Sequence, residues 1–187
     1  RILSDVYAAE GDAKGLADAL DKIGTLDDDA DARAAANAEL AELSASRNDE
    51  ARAAIAYARL LDTPYRPRAI AELEVIHERT ENFVELAAVL LEREKDTVSR
   101  GEKQKLAFRA AEILTHKTTD IEKASQAWRG IAERFGGNRQ VYAAWIPLLE
   151  AQRDWTSLGE ALEADSDFAA EGERAAILAR LALLYLT

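Results

Sequence analysis

The chain reads as all-α: an α-solenoid of about five stacked antiparallel helix hairpins plus a final unpaired helix. Three observations predict this. A phrase made of Asp or Asn with apolar residues four and eight places on starts at 12, 49, 82, 120 and 154, at intervals of 37, 33, 38 and 34. Self-similarity at such a period marks helical repeats, units that bury their apolar faces only against their neighbours. The 187 residues are 48% apolar, mostly Ala and Leu, with three Pro and nine Gly, a composition that favours helix over sheet. Charged residues make up 32% of the chain, enough to solvate its outer faces.

The elements follow in order. A first helix is expected over 1–10, carrying Leu3 and Tyr7, and a second over 12–25, opened by Asp12 with Leu16 and Leu20 on its inner face. The run Asp27-Asp28-Asp29-Ala30-Asp31 places negative charge at the start of a helix over 30–47, with Ala36, Leu40, Ala41 and Leu43. Asp49, Ala53 and Tyr57 begin a helix over 49–63 that the breaker Asp62-Thr63-Pro64-Tyr65 ends. A helix over 66–79 precedes one over 81–96, in which Phe83, Leu86, Ala87, Leu90 and Leu91 form a single stripe. After a helix over 101–117, Ile121, Ala124, Trp128, Ile131 and Phe135 repeat that stripe over 120–136, up to Gly136-Gly137-Asn138. Helices over 138–152, 154–166 and 171–187 complete the series, the last carrying Leu178, Leu181 and Tyr185.

Each Asp or Asn is a helix cap whose side-chain oxygen can take an orphan N–H of the first turn. The alternating intervals place longer segments at 26–31 and 96–102, so the natural unit is two hairpins. Residues 177–186 resemble 2–9, with Tyr185 matching Tyr7. Both ends therefore fall inside a repeat, and residues 1–187 are expected to form a single repeat domain cut from a longer array.

The composition also excludes functions. Asp and Glu outnumber Lys and Arg by 35 to 24, for a net charge of −11, a balance that repels phosphate backbones and disfavours nucleic acid. The charge is uneven: residues 1–50 hold 5 basic and 13 acidic side chains, residues 101–150 hold 8 and 6. A basic partner would approach the first half more favourably. Without Cys there is no disulfide, thiolate metal site or Cys nucleophile. The most apolar run, 175–186, contains Arg180 and is too short to span a bilayer, so no membrane insertion is expected. The compartment stays open, with the cytoplasm slightly favoured.

Catalytic motifs are missing. His77 sits in the apolar stretch Val75-Ile76-His77 and reads as a satisfied core histidine; His116, beside Lys117, suits a helix carboxy terminus. No zinc spacing connects them. A calcium loop begun at Asp27 would need Gly at 32 and Glu at 38, where the chain has Ala. Pairs such as Glu72 and Glu74, or Glu92 and Glu94, do not converge on one point of a helix. Gly136 and Gly137 do not precede a Lys with Ser or Thr, so no phosphate loop is present. No cofactor, no metal and no enzymatic activity are expected.

Ala41 and Ala111 on first helices, Ala53 and Ala124 on second helices, and the large Tyr7, Leu114, Tyr185, Tyr57 and Trp128 resemble the size pattern of the tetratricopeptide repeat family over essentially the whole chain. The repeats are degenerate: Leu40-Ala41 and Leu181-Ala182 stand where the family has Leu-Gly, and Leu16, Leu86 and Leu158 where it prefers Ala. The resemblance implies a right-handed superhelix whose first helices line a concave groove. Groove positions would then be Arg1, Asp5, Ala38, Glu42, Arg68, Val75, Arg79, Phe108, Glu112, His116, Gln140, Ala143, Pro147 and Glu150. One subgroup of the family grips a terminal carboxylate with Lys and Asn at fixed groove positions; this chain has Ala38, Ala71, Phe108 and Ala143 at one and Glu42, Val75, Glu112 and Pro147 at the other, so that clamp is absent.

Trp128 and Trp155 hold repeat or capping positions and are expected in the core, while Trp145 replaces a small crossing residue. The function expected is a noncatalytic protein–protein interaction scaffold that binds a peptide segment or helix of another protein, with Arg68, Val75, Arg79, Phe108, Glu112, His116, Gln140 and Pro147 as groove candidates. The alternative is a structural spacer, or a segment that self-associates through open repeat ends, in a large multidomain protein.

Overall fold

The computed structural model describes Tyr7 and residues 11–185. Those residues form ten helices and no strand: α1 (Ala13–Leu26), α2 (Ala30–Ser46), α3 (Glu50–Ala58), α4 (Arg66–Arg79), α5 (Phe83–Asp96), α6 (Arg100–Lys117), α7 (Ile121–Phe135), α8 (Arg139–Gln152), α9 (Trp155–Phe168) and α10 (Glu171–Tyr185). The helix expected over 1–10, with Arg1, Leu3 and Asp5, lies outside the described residues except for Tyr7, as do residues 186 and 187.

One turn recurs at four hairpins. Gly11, Asn48, Glu81 and Arg153 adopt left-handed backbone, with φ of 70°, 58°, 55° and 57°. The following residue then donates its N–H to the carbonyl five places back: Asp12 to Tyr7 at 3.0 Å, Asp49 to Ser44 at 2.9 Å, Asn82 to His77 at 3.0 Å and Asp154 to Leu149 at 3.0 Å. This closes a first helix by satisfying one of its orphan carbonyls. The same residue opens the second helix. Asp12, Asp49 and Asp154 accept side-chain bonds from the N–H groups of Gly15, Arg52 and Ser157, and their carbonyls accept the first helical bonds from Leu16, Ala53 and Leu158. Asp120 caps α7 through the Lys123 N–H, but the turn before it differs, because Thr118 is extended (φ −126°, ψ 168°). The acidic run at 27–31 caps α2: Asp29 accepts from the Asp31 N–H at 2.9 Å.

The helix expected over 49–63 ends at Ala58. Beyond it the chain tightens into turns, with Leu60 N–H on the Tyr57 carbonyl and Thr63 N–H on the Leu60 carbonyl, a geometry that brings it into Pro64.

The described residues gather into two compact units, one ending at Val89 and the other beginning at Leu90. The division falls inside α5, where no composition shift marks it. In the first unit α1 packs on α2, α2 on α3 and α3 on α4; in the second, α6 packs on α7, α7 on α8, α8 on α9 and α9 on α10. Small residues sit where helices cross: Ala41, Ala53 and Ala111 are 0% exposed. The first unit's core adds Leu20, Leu40, Tyr57, Leu60, Ile70 and Leu73, and the second's is built on Trp128, Ile131, Val141, Trp145, Leu149 and Leu162.

Second helices are also joined by charge. Arg52 meets Asp18 at 3.2 Å and Arg59 meets Asp21 at 2.6 Å between α1 and α3, and Arg134 pairs with the buried Glu94 between α5 and α7.

Candidate functional site

The candidates predicted from the sequence lie on first helices in both units. In the first unit Arg68 and Arg79 are exposed, but both are already held. Arg68 bonds Glu42 of α2 at 2.6 Å, and Arg79 bonds Glu50 at the start of α3 at 2.7 Å. Antiparallel packing explains the second contact: the end of α4 lies beside the start of α3. Val75 is 57% exposed on the same helix, the most open apolar candidate here.

The second unit assembles a broader surface. Glu112 and His116 are exposed on α6, and Gln140, Ala143, Pro147 and Glu150 are exposed on α8 at the spacing of one helical face. Pro147 lies inside α8. It has no N–H for the Ala143 carbonyl, and Ala143 itself offers no bulk, so this face presents backbone acceptor capacity beside an apolar ring. Glu150 is engaged by Arg180 of α10. Phe108 is half-buried and packs edge-to-face on Trp128, with ring centroids 5.4 Å apart, so its ring is held against the core rather than projecting from α6.

Other expectations are corrected. Trp155 is 53% exposed, because the first residue after a helix cap has no preceding turn to cover it. Trp128 is buried as expected, and its indole donates to Thr115 Oγ1 at 2.9 Å. Trp145 is buried too and donates to Ser125 Oγ at 2.8 Å. His77 is 9% exposed, but its Nδ1 has no hydrogen-bond partner, so it is a core histidine without being a satisfied one. Burial pushes its imidazole below the ordinary value, and Glu85 opposes that shift.

No family model matches the chain, and no curated protein matches it. The geometry therefore carries the functional argument. The Ser157 hydroxyl and N–H hold the Asp154 carboxyl below its usual range, burial, with Asp165 nearby, raises the Tyr142 phenol, and bonds to Glu102 and Asp165 raise Lys105 and Arg139. Among the described residues no group of three or more His, Asp or Glu is placed to hold a metal ion. None of the described helices is long and apolar enough to cross a membrane.

A pair of clefts went unread in the sequence. One, of about 290 Å³, lies between α1, α3 and the end of α2; the other, of about 270 Å³, lies between α7, α9 and the end of α8. They occupy the same repeat register, since Ser44 and Leu149 each stand five residues before a second-helix cap and line the respective cleft. The signal available was the repeat itself: lining the phrases up brings Arg47 and Gln152, and Arg52 and Ser157, to matching positions.

Proposed function

We propose that the chain is a noncatalytic protein–protein interaction scaffold, a right-handed solenoid similar to tetratricopeptide repeats, which holds a peptide segment or helix of a partner protein along its first helices. The observation that supports this reading is the α8 face in the second unit, where Gln140, Ala143, Pro147 and Glu150 are all exposed and a proline interrupts the helix's own bonding. An acceptor left open on an exposed helix favours a partner that donates hydrogen bonds. Glu112 of α6, also exposed, favours a partner with basic side chains.

The test is photo-crosslinking. A photoreactive residue at Ala143 should capture a discrete protein from extracts of the source cell, whereas one at Glu133, exposed on the second helix α7, should not. The captured protein, purified, should lose tenfold or more in affinity for Ala143→Arg. Equal capture at both positions, or unchanged affinity, would reject the reading.

One observation favours a second reading, a spacer that self-associates. Helix α10 has no buried residue, and Leu178, Leu183 and Tyr185 are 43%, 65% and 71% exposed. Sedimentation across a hundredfold concentration range decides it. A dimer that Leu183→Lys dissolves supports self-association; one species throughout removes it.

A further inference from the structure

We propose that the cleft between α1 and α3 in the first unit is a binding site for a phosphate monoester dianion, independent of the first-helix face. Its wall carries Lys14, Arg47 and Arg52 against one carboxylate, Asp49, with Leu43 and Ser44 at its base. The concentration of cations runs against the chain's charge, which is −11 overall. Among the described residues no carboxylate pairs with Lys14 or Arg47. Arg52 is braced by Asp18 at 3.2 Å and by Asp49 at 3.9 Å, which orients its guanidinium before a ligand arrives. Asp49 is occupied as the cap of α3 and Asp12 as the cap of α1.

The second observation is Ser44. It is 2% exposed and lines the cleft, yet its hydroxyl has no hydrogen-bond partner. A buried hydroxyl left unpaired is costly; that of Ser44 is closed off from solvent, so a ligand oxygen supplies the missing partner only by displacing the side chains that cover it. The three cations suit the double charge of a phosphate monoester, whose three terminal oxygens can each accept from a different side chain, better than the single charge of a carboxylate.

The chain carries its own control. At the matching register of the α7–α9 cleft, Glu122, Leu149, Gln152 and Ser157 replace Lys14, Ser44, Arg47 and Arg52. Arg129 and Asp154 are both present there, so a cavity of the same origin lacks the cationic convergence.

Titration of the 15N-labelled full chain with sodium phosphate, against sodium chloride at matched ionic strength, is the test. Saturable amide shifts are expected at Lys14, Ser44, Arg47 and Arg52, with none at Gln152 and Ser157. A Gly-Gly-phosphoserine-Gly-Gly peptide is titrated in parallel with its unphosphorylated form. Binding at least tenfold tighter than free phosphate assigns a peptide-borne group; equal affinity assigns the free ion. The double variant Lys14→Gln, Arg47→Gln, both exposed positions, should keep the parent's circular dichroism and lose affinity tenfold or more; Ser44→Ala should lose severalfold. No saturable shift from either probe, equal shifts in both clefts, or affinity within twofold in the double variant would overturn the proposal.

Discussion

The two units use the same hairpin turn but fill it differently. Five residues before a second-helix cap the first unit places the half-buried Tyr7 and then Ser44 and His77, both buried and each with an unpartnered polar atom, while the second places Leu149, 1% exposed. Their cores differ in aromatic content, while both bury polar groups, Asp165 in the second unit also keeping an unpartnered oxygen. Beside Ala and Leu, the first unit buries Tyr57 and the polar Asn37, whose amide bonds the Gly24 carbonyl at 2.9 Å. The second buries Trp128, Trp145 and Tyr142, the last stacked on Trp145 with centroids 6.4 Å apart. The difference teaches that the turn geometry does not depend on what fills the position beneath it. Stability does, because a buried aromatic removes far more apolar surface than Ala or Ser, whereas exposed ion pairs such as Arg52–Asp18 add about 0–1 kcal/mol each. The second unit is expected to be the more resistant to unfolding.

The largest effect should come from its centre. Trp128→Ala deletes a side chain 1% exposed, its bond to Thr115 and its contact with Phe108, and should cost about 3–5 kcal/mol. Urea unfolding with hydrogen exchange at α6 to α8 measures it. A loss under 1 kcal/mol would mean that the aromatic core is not what distinguishes this unit.

Gly24→Ala is the matching probe of the first unit. A Cβ there would lie 2.6 Å from Asn37 Oδ1 and 2.8 Å from its Nδ2, so the amide that bonds Gly24 and Arg33 carbonyls and accepts from Arg59 must move. A cost of about 1–3 kcal/mol is expected, the range for a buried polar group that loses its partners. A neutral result in thermal melts would show that the network is dispensable.

Much of this contrast was legible in the sequence, and for local reasons. Caps act on the next few amides, and stripes need only helical spacing, so ten helices and the burial of Leu86, Leu90, Trp128 and Leu162 follow from the repeated phrase. Trp155 and Ile121, 53% and 40% exposed, misled because they sit one place after a cap, where the phrase tolerates apolar residues without burying them. The left-handed Glu81 and Arg153 were invisible, since neither residue type signals that conformation. Arg68 and Arg79 read as free groove cations because their partners, Glu42 and Glu50, come from other helices, and such pairings are tertiary. The face of α8 was readable as a stripe, while the cleft at Lys14, Arg47 and Arg52 required three helices to meet.

A pH change should separate the units. His77 titrates below its ordinary value of 6.5 in the folded chain because burial disfavours its charged form, so the unfolded chain binds the proton more readily. Stability is therefore full above about pH 6.5 and falls as the pH drops through 6.5 toward the lower folded value. Exchange protection in α4 should decrease between pH 7 and pH 5, and His77→Leu should flatten that dependence while raising stability at pH 5. An equal slope in the variant would assign the sensitivity to carboxylates instead.

The smallest expected effect tests the cleft and the core together. Ser44→Ala removes a hydroxyl that has no partner inside the fold and leaves its methylene in place. Without phosphate, the variant should be neutral or more stable by up to about 1 kcal/mol, because the lost group carried a desolvation cost without a bond to offset it. With phosphate present, the parent gains stability by mass action and the variant gains less, so the order of their melting temperatures should narrow or invert. A variant destabilised without phosphate would show that the hydroxyl is bonded within the fold and so is not free for a ligand.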